Sequence, residues 1–264
     1  MVGNLINMGR IINEWKNFGK NPPFDYCVID NFLNEDFANK VAAEFPNFDS
    51  PNYNGTYDNA IELKKTGNIW DKFSENTYKL LYALNSYEVV DTFSKATQVP
   101  LDSDSGLHGG GQHIHPPGGK LNPHLDYNLH PKLGLQRKLN LLIYLTPDWK
   151  EEWGGEFGMW SSDENGQPTE LHTKIPPMFN RAIIFDTTQN SWHGLASTVK
   201  CPEGKSRNSI AMYYMCETPS EDTNDRKRAV FVPTEEQKDN KEILELIQRR
   251  SQITSTDVEK WDRK

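Results

Sequence analysis

The chain has 264 residues, of which 36% are hydrophobic and 25% charged, and a formal net charge of −8. That length supports one full-sized core or two small ones, and the composition is that of a folded chain rather than a disordered one. The acidic balance weighs against nucleic acid as a partner, which needs clustered Lys and Arg.

No apolar run approaches the ~20 residues of a membrane span. The N-terminal stretch "MVGNLINMGRIINEW" lacks the long apolar core of a signal peptide. Three cysteines, Cys27, Cys201 and Cys216, lie far apart with no CxxC. They argue for a reducing compartment, and the expected location is cytoplasmic.

Residues 1 to about 20 carry Leu5, Ile6, Ile11, Ile12 and Trp15 at helical spacing. Pro22 and Pro23 stop that helix, and "YCVIDNF" then reads as a strand. "NEDFANKVAAEFP" reads as a helix with Asn34 as N-cap and Pro46 as its end. A polar loop is expected over about 47–65. "NIWDKFSENTYKLLYALNS" and "YEVVDTFSKATQ" are two amphipathic helices, with Leu80, Leu81, Leu84, Val89, Val90 and Phe93 on their apolar faces.

From about residue 105 the period changes. "LHGGGQHIH", "KLNPHLDY", "RKLNLLIYL", "GGEFGMW", "ELHTKIPP", "RAIIFD", "SWHGLAST" and "RNSIAMYYM" are eight short runs between turn-rich segments. Strands at such spacing suggest a β-sandwich or closed jelly roll. Residues 217–264 hold 12 acidic and 10 basic side chains, with "NKEILELIQRR" as a short helix. Gly109–Gly111 is no phosphate loop, because neither a GKS/T nor a helix follows it.

His124 and Asp126 are two residues apart, so on a strand both side chains point to one face. One imidazole nitrogen and one carboxylate oxygen suit a first-row metal better than Mg or Ca. His193, in "SWHGLAS", can complete two histidines and a carboxylate on one face of a metal, the arrangement of non-haem iron(II) oxygenases. An isolated HxD is more often a polar surface strand. Here Arg207 and Ser209 follow, sharing one face at the start of an apolar strand, and Arg suits a bidentate grip on a carboxylate.

HxD, a distant His, then R-x-S opening a strand resembles the iron(II)- and 2-oxoglutarate-dependent oxygenases. "RKLNLLIYLTPDW" followed by "WGGEF" is similar to their prolyl-4-hydroxylase-like branch of bacterial and phage type, and the likeness covers about residues 22–217. The resemblance implies a mainly β fold: a double-stranded β-helix (jelly-roll) core over about 105–217, packed by N-terminal helices. These form one domain, 1–217; the charged segment 218–264, with its helix, reads as a lid, an oligomer contact or a tail.

The resemblance further implies Fe(II) on His124, Asp126 and His193. It implies 2-oxoglutarate with its distal carboxylate on Arg207 and Ser209, O2 as the second cosubstrate, and ascorbate as an optional reductant. His115 lies where relatives often place a tyrosine near the cosubstrate, and Asn140 lies on the strand whose polar residue often meets 2-oxoglutarate. The activity so implied is hydroxylation of an unactivated C–H bond in an amino acid, peptidyl proline, glycan or small metabolite. The halogenating relatives replace the carboxylate that Asp126 supplies.

Two other classes stand beside the enzyme. A non-enzymatic metal-binding jelly roll needs the triad but not Arg207 and Ser209. A structural interaction module predicts no stoichiometric metal. His130 precedes Pro131 and is expected to leave the strand for a loop, in a substrate-side or surface role rather than as a ligand. Of His108, His113 and His115 one is a candidate for the pocket wall, with a core or surface position as the default; Trp149, Trp153, Trp160 and Trp192 read as core or pocket-wall aromatics, and His172 as an exposed strand residue.

Overall fold

The computed structural model describes residues 2–218, 226 and 228–252. The N-terminal helical stretch is shorter than its periodicity suggests. A 3-10 turn at Val2–Asn4 precedes an antiparallel bridge between Ile6 and Leu33, and only Met8–Trp15 (α1) is α-helical. Tyr26–Asp30 forms β1. Glu35–Ala43 forms α2 behind Asn34, whose side chain donates to Gly3 O at 3.3 Å rather than capping the helix.

The region expected to be a loop contains a hairpin, Gly55–Asp58 (β2) and Glu62–Gly67 (β3). Its residues are polar on both faces, so the hydrophobic alternation that reveals a half-buried strand is missing. Glu75–Leu84 (α3) and Tyr87–Thr97 (α4) follow, the first preceded by a separate 3-10 turn at Trp70–Lys72.

The remaining strands run Asp102–Ser103 (β4), Gly111–His115 (β5), Lys120–Leu121 (β6), His124–Leu125 (β7), Gln136–Tyr144 (β8), Phe157–Ser162 (β9), Pro168–Ile175 (β10), Arg181–Asp186 (β11), His193–Leu195 (β12), Arg207–Cys216 (β13) and Val230–Phe231 (β14), before helix Lys241–Gln252 (α5). "KLNPHLDY" is two strands, not one. The chain breaks at Asn122–Pro123, where proline offers no N–H, so β6 joins β3 and β7 joins β12.

Two antiparallel sheets face each other. The larger has the order β1-β11-β8-β13-β5-β3-β2, with β4 on β13 and β6 on β3; the smaller runs β10-β9-β12-β7-β14. This is the curled jelly-roll architecture with a helical layer.

Period-two alternation divides each central strand between two environments. Leu139, Leu141 and Ile143 of β8, Ala182 and Ile184 of β11, and Ile210, Met212 and Tyr214 of β13 pack with the helices in the large core. Their neighbours turn the other way. Tyr144, Ile183 and Phe185 join Phe157 and Met159 from the smaller sheet in a second core at one end of the barrel. Asn140, Leu142, Arg207, Ser209 and Tyr213 line the cavity between the sheets. Both faces of the large sheet are covered, so these strands read as nearly continuous apolar runs. No helix among the described residues is long and apolar enough to cross a membrane.

Candidate metal centre

β7 and β12 are adjacent and antiparallel, with His124 directly opposite His193. Asp126 follows β7 immediately. The ligand-type atoms of His124, Asp126 and His193 lie within 4.8 Å of one another, and they are the metal-compatible group among the described residues. His124 Nε2 is 3.7 Å from Asp126 Oδ1, and His193 Nε2 is 3.8 Å from Asp126 Oδ2. Two ligands held at about 2.1 Å from one ion lie at most about 4.2 Å apart, so both spacings fit a shared metal.

The rings are held in the tautomer a metal requires. His124 Nδ1 lies 3.0 Å from Asn122 O and His193 Nδ1 lies 2.7 Å from Ser191 O. A carbonyl only accepts, so each Nδ1 carries the proton and each Nε2 keeps its lone pair for the centre. Burial lowers the basicity of both rings, that of His124 to about 3, so they are neutral at ordinary pH. Burial alone would raise the Asp126 pKa. His193, Arg137, His124 and a hydrogen bond from Tyr213 outweigh it and hold the carboxyl well below the usual range.

Two donors orient that carboxylate. Asn140 Nδ2 and the Tyr213 hydroxyl reach Asp126 Oδ2 at 3.1 and 3.0 Å. They are register partners on β8 and β13. Tyr213 is in turn held by Arg137, whose guanidinium lies between the rings of Tyr127 and Tyr213 at 3.4 and 3.5 Å. Aromatic rings close the histidines off: Phe231 stacks on His124 at 5.0 Å, Phe157 on His193 at 5.5 Å, and Phe185 lies 4.7 Å from His193.

Arg207 enters the same cavity from the start of β13. Its Nε donates to Gly155 O at 2.7 Å, and its guanidinium lies 4.7 Å over the Tyr144 ring. Gly154 and Gly155, both at positive φ, make this close approach possible: a Cβ on Gly155 would stand 3.0 Å from Arg207 Cδ. Among the described residues no carboxylate pairs with Arg207. Around it, polar groups are also unmet. His115 sits opposite Arg207 with both ring nitrogens buried and unpartnered, while the Tyr144 hydroxyl, opposite Ser209, faces the Arg207 guanidinium. A buried guanidinium with no carboxylate at ion-pair distance, beside a buried and unpartnered imidazole, is an environment that suits a carboxylate ligand.

The other expectations resolve residue by residue. Asn140 approaches Asp126, as above, while its Oδ1 is unpartnered. His113 lines the cavity and lies 3.2 Å from Gly109 O. His130 is outside the metal group, and it is neither exposed nor a wall of the cavity. It is buried, its Nδ1 accepts from Lys132 N and Leu133 N, and its ring packs against His108. Trp192 is buried and donates to Gly166 O at 2.8 Å. His172 is exposed.

Sequence reasoning missed Tyr213, Tyr144, Arg137, Lys64 and Phe231. Tyr213 was within reach, because it continues the parity of Arg207 and Ser209 along one strand. Phe231 gave no signal, since its strand is two residues long.

Residues 110–215 match the family model described as the 2OG-Fe(II) oxygenase superfamily. Prolyl 3-hydroxylase OGFOD1 of Xenopus laevis is 27% identical over 78 residues, which is 30% of this chain and 15% of that protein. The mouse protein of the same name is also 27% identical over 78 residues, 14% of its length. The match thus spans about a seventh of these relatives.

Among solved structures, a prolyl-4-hydroxylase of Pseudomonas putida has TM-score 0.54 at 17% identity, covering 80% of this chain and 99% of that one. A Trichoplax adhaerens prolyl hydroxylase, solved with a hypoxia inducible factor peptide fragment, has TM-score 0.51 at 19% identity, covering 80% and 89%. The family match over residues 110–215 takes in the whole His–Asp–His cluster together with Arg207 and Ser209, and the solved prolyl hydroxylases are similar to this chain in their fold.

Proposed function

We propose that the protein is an iron(II)- and 2-oxoglutarate-dependent dioxygenase that hydroxylates an unactivated C–H bond of a peptide or small-molecule substrate. The observation that carries the reading is the pairing, in one cavity of about 370 Å³, of a neutral-imidazole and carboxylate cluster with a buried arginine that has no carboxylate at ion-pair distance among the described residues, Glu156 acting on it only from further away. A metal-storing jelly roll explains the first half and leaves Arg207 without a purpose.

The residues divide the work. His124, Asp126 and His193 are assigned to the ferrous ion, and Arg207 with Ser209 to the distal carboxylate of 2-oxoglutarate. His115, which faces Arg207 across the strand pair, is assigned to the cosubstrate as well. Iron and 2-oxoglutarate together supply oxygen activation, with succinate and CO2 as by-products. Asn140 and Tyr213 hold Asp126 in one orientation through Oδ2. Phe157, Phe185 and Phe231 keep bulk water off the histidines. Because the imidazoles are already neutral and Asp126 already ionised, binding the metal requires no proton release near neutral pH.

The relatives named prolyl hydroxylases favour a prolyl or prolyl-like substrate, and the peptide fragment bound by the Trichoplax enzyme favours a peptide. Cys27, Cys201 and Cys216 are all buried free thiols, which fits a cytoplasmic location. The test is succinate formation from 2-oxoglutarate. The reading expects turnover that requires Fe(II), is lost in Asp126→Ala, and shows a strongly raised 2-oxoglutarate requirement in Arg207→Ala. Metal-bound protein with no 2-oxoglutarate turnover or binding would return the chain to the metal-storing class.

A further inference from the structure

The cavity is far more basic than the protein. Among the described residues five cationic side chains line it: Lys64, Arg137, Arg207, Arg228 and Arg250. Among the described residues only Glu62 and Asp126 oppose them, on a chain whose net charge is −8. The cofactor and cosubstrate do not absorb this excess. A ferrous ion, Asp126, Arg207 and a dianionic cosubstrate sum to zero. Arg137 is enclosed between two tyrosine rings. Lys64, Arg228 and Arg250 remain at the mouth, against one carboxylate among the described residues.

Those groups are positioned rather than loose. Glu62 is 1% exposed and receives Arg250 Nη2 at 2.6 Å, while Lys64 Nζ stands 3.7 Å away, beyond hydrogen-bond range. Both cations lie over the Tyr57 ring, at 5.2 and 5.6 Å, and Arg250 also lies 5.6 Å from the Phe231 ring. Arg250 Nε is buried without a partner. The Lys64 ammonium faces inward, interacting electrostatically with Asp126, His113, His115, His124 and His193 as well as Glu62 and Arg250. Two half-buried cations sharing one acid are costly unless a second anion joins them. The elements involved are β3 of the hairpin and α5, with Arg228 in the segment leading into β14.

We propose that the primary substrate carries an anionic group, a carboxylate or a phosphate, that docks between Lys64 and Arg250 at the cavity mouth with Arg228 as the third cation. This rests on the dioxygenase reading and adds the substrate's charge to it. It also makes the C-terminal segment, through Arg228 and Arg250, part of the substrate site.

The experiment uses the full chain loaded anaerobically with Mn(II) and saturating 2-oxoglutarate, so that Arg207 is engaged. Three probes of similar size are titrated: benzoate, phenyl phosphate and benzamide. Broadening of their proton resonances by Mn(II) reports binding near the metal. The proposal expects saturable broadening of at least one anion and none of benzamide, and the tighter anion identifies carboxylate or phosphate. Lys64→Met weakens that binding about tenfold, the value of one charge-assisted hydrogen bond. Glu62→Gln, which removes the competing acid, tightens it.

Equal broadening by benzamide, or anion binding indifferent to both substitutions, overturns the proposal. Mn(II) affinity, read from water-proton relaxation before any probe is added, verifies that each variant keeps its centre. Failure of the wild type to bind Mn(II) sinks the dioxygenase reading itself, and the proposal with it, by a separate signal.

Discussion

Replacing Tyr213 by Phe removes one oxygen from the centre and little else. The hydroxyl donates to Asp126 Oδ2 at 3.0 Å, while the ring, which stays, carries Arg137 on its face at 3.5 Å. Hydrogen bonds to a charged group are worth about 1.5–3 kcal/mol. Loss of a partner that orients a metal ligand lowers metal affinity about 10–100-fold, or about 1.4–2.8 kcal/mol. The two estimates agree, because Asn140 remains as the single donor to Oδ2. The hydrogen bond is also among the influences that depress the Asp126 pKa, so removing it raises that pKa, and metal release on acidification begins at a higher pH. Competition with a fluorescent chelator measures both effects. An affinity within twofold of wild type, in a variant whose circular dichroism is unchanged, would refute the role given to Tyr213.

Asn180 is buried at φ 60°, with its side chain pairing both Leu33 N and Leu33 O at 2.8 Å. Asn180→Ala forfeits both bonds and strains the backbone, so urea unfolding should show a loss of about 3 kcal/mol. Gly155→Ala should raise the KM for 2-oxoglutarate well before it lowers stability, because the new Cβ meets Arg207 Cδ at 3.0 Å in a positive-φ position. In metal-free protein, burial first, with neighbouring cations, lowers His108 to about 4 and His113 to about 3, and burial together with His193 lowers His124 to about 3. These groups are depressed below their unfolded value near 6.5. Their contribution is complete above that pH and is lost as pH falls from about 6.5 toward about 4 for His108 and about 3 for His113 and His124, at up to about 1.4 kcal/mol per histidine per pH unit. The thermal midpoint should fall over that window, and bound metal should flatten the fall.

The parts of the site legible in the sequence are those where chemistry coincides with strand parity. His124 and Asp126 share a strand parity, His193 follows the apolar run of β11, and Arg207 opens the longest strand among the described residues. The glycines of "WGGEF" were visible as a motif, but not as the contact that fixes Arg207. Lys64 and Glu62 were hidden because β3 faces a polar cavity on one side and solvent on the other, so its sequence shows no alternation. Asn140 shows that a residue's strand face can be read while its partner cannot: the string does not say whether an inward amide meets a cosubstrate or a carboxylate. Arg228, Phe231 and Arg250 lie in a charged segment whose composition resembles a solvated tail. Only the pairing of β14 with β7 brings Phe231 onto His124.

The measurement that bears most directly on the central claim is anaerobic. Fe(II) and then 2-oxoglutarate are added to metal-free protein, and the visible spectrum is followed for the weak charge-transfer band of an iron–2-oxoglutarate chelate. The account predicts a band in the wild type that saturates with 2-oxoglutarate and that requires far more of it in Arg207→Ala, with Fe(II) affinity unchanged between the two. Tight Fe(II) binding without a band, or a band indifferent to Arg207, would contradict the assignment of this cavity to 2-oxoglutarate.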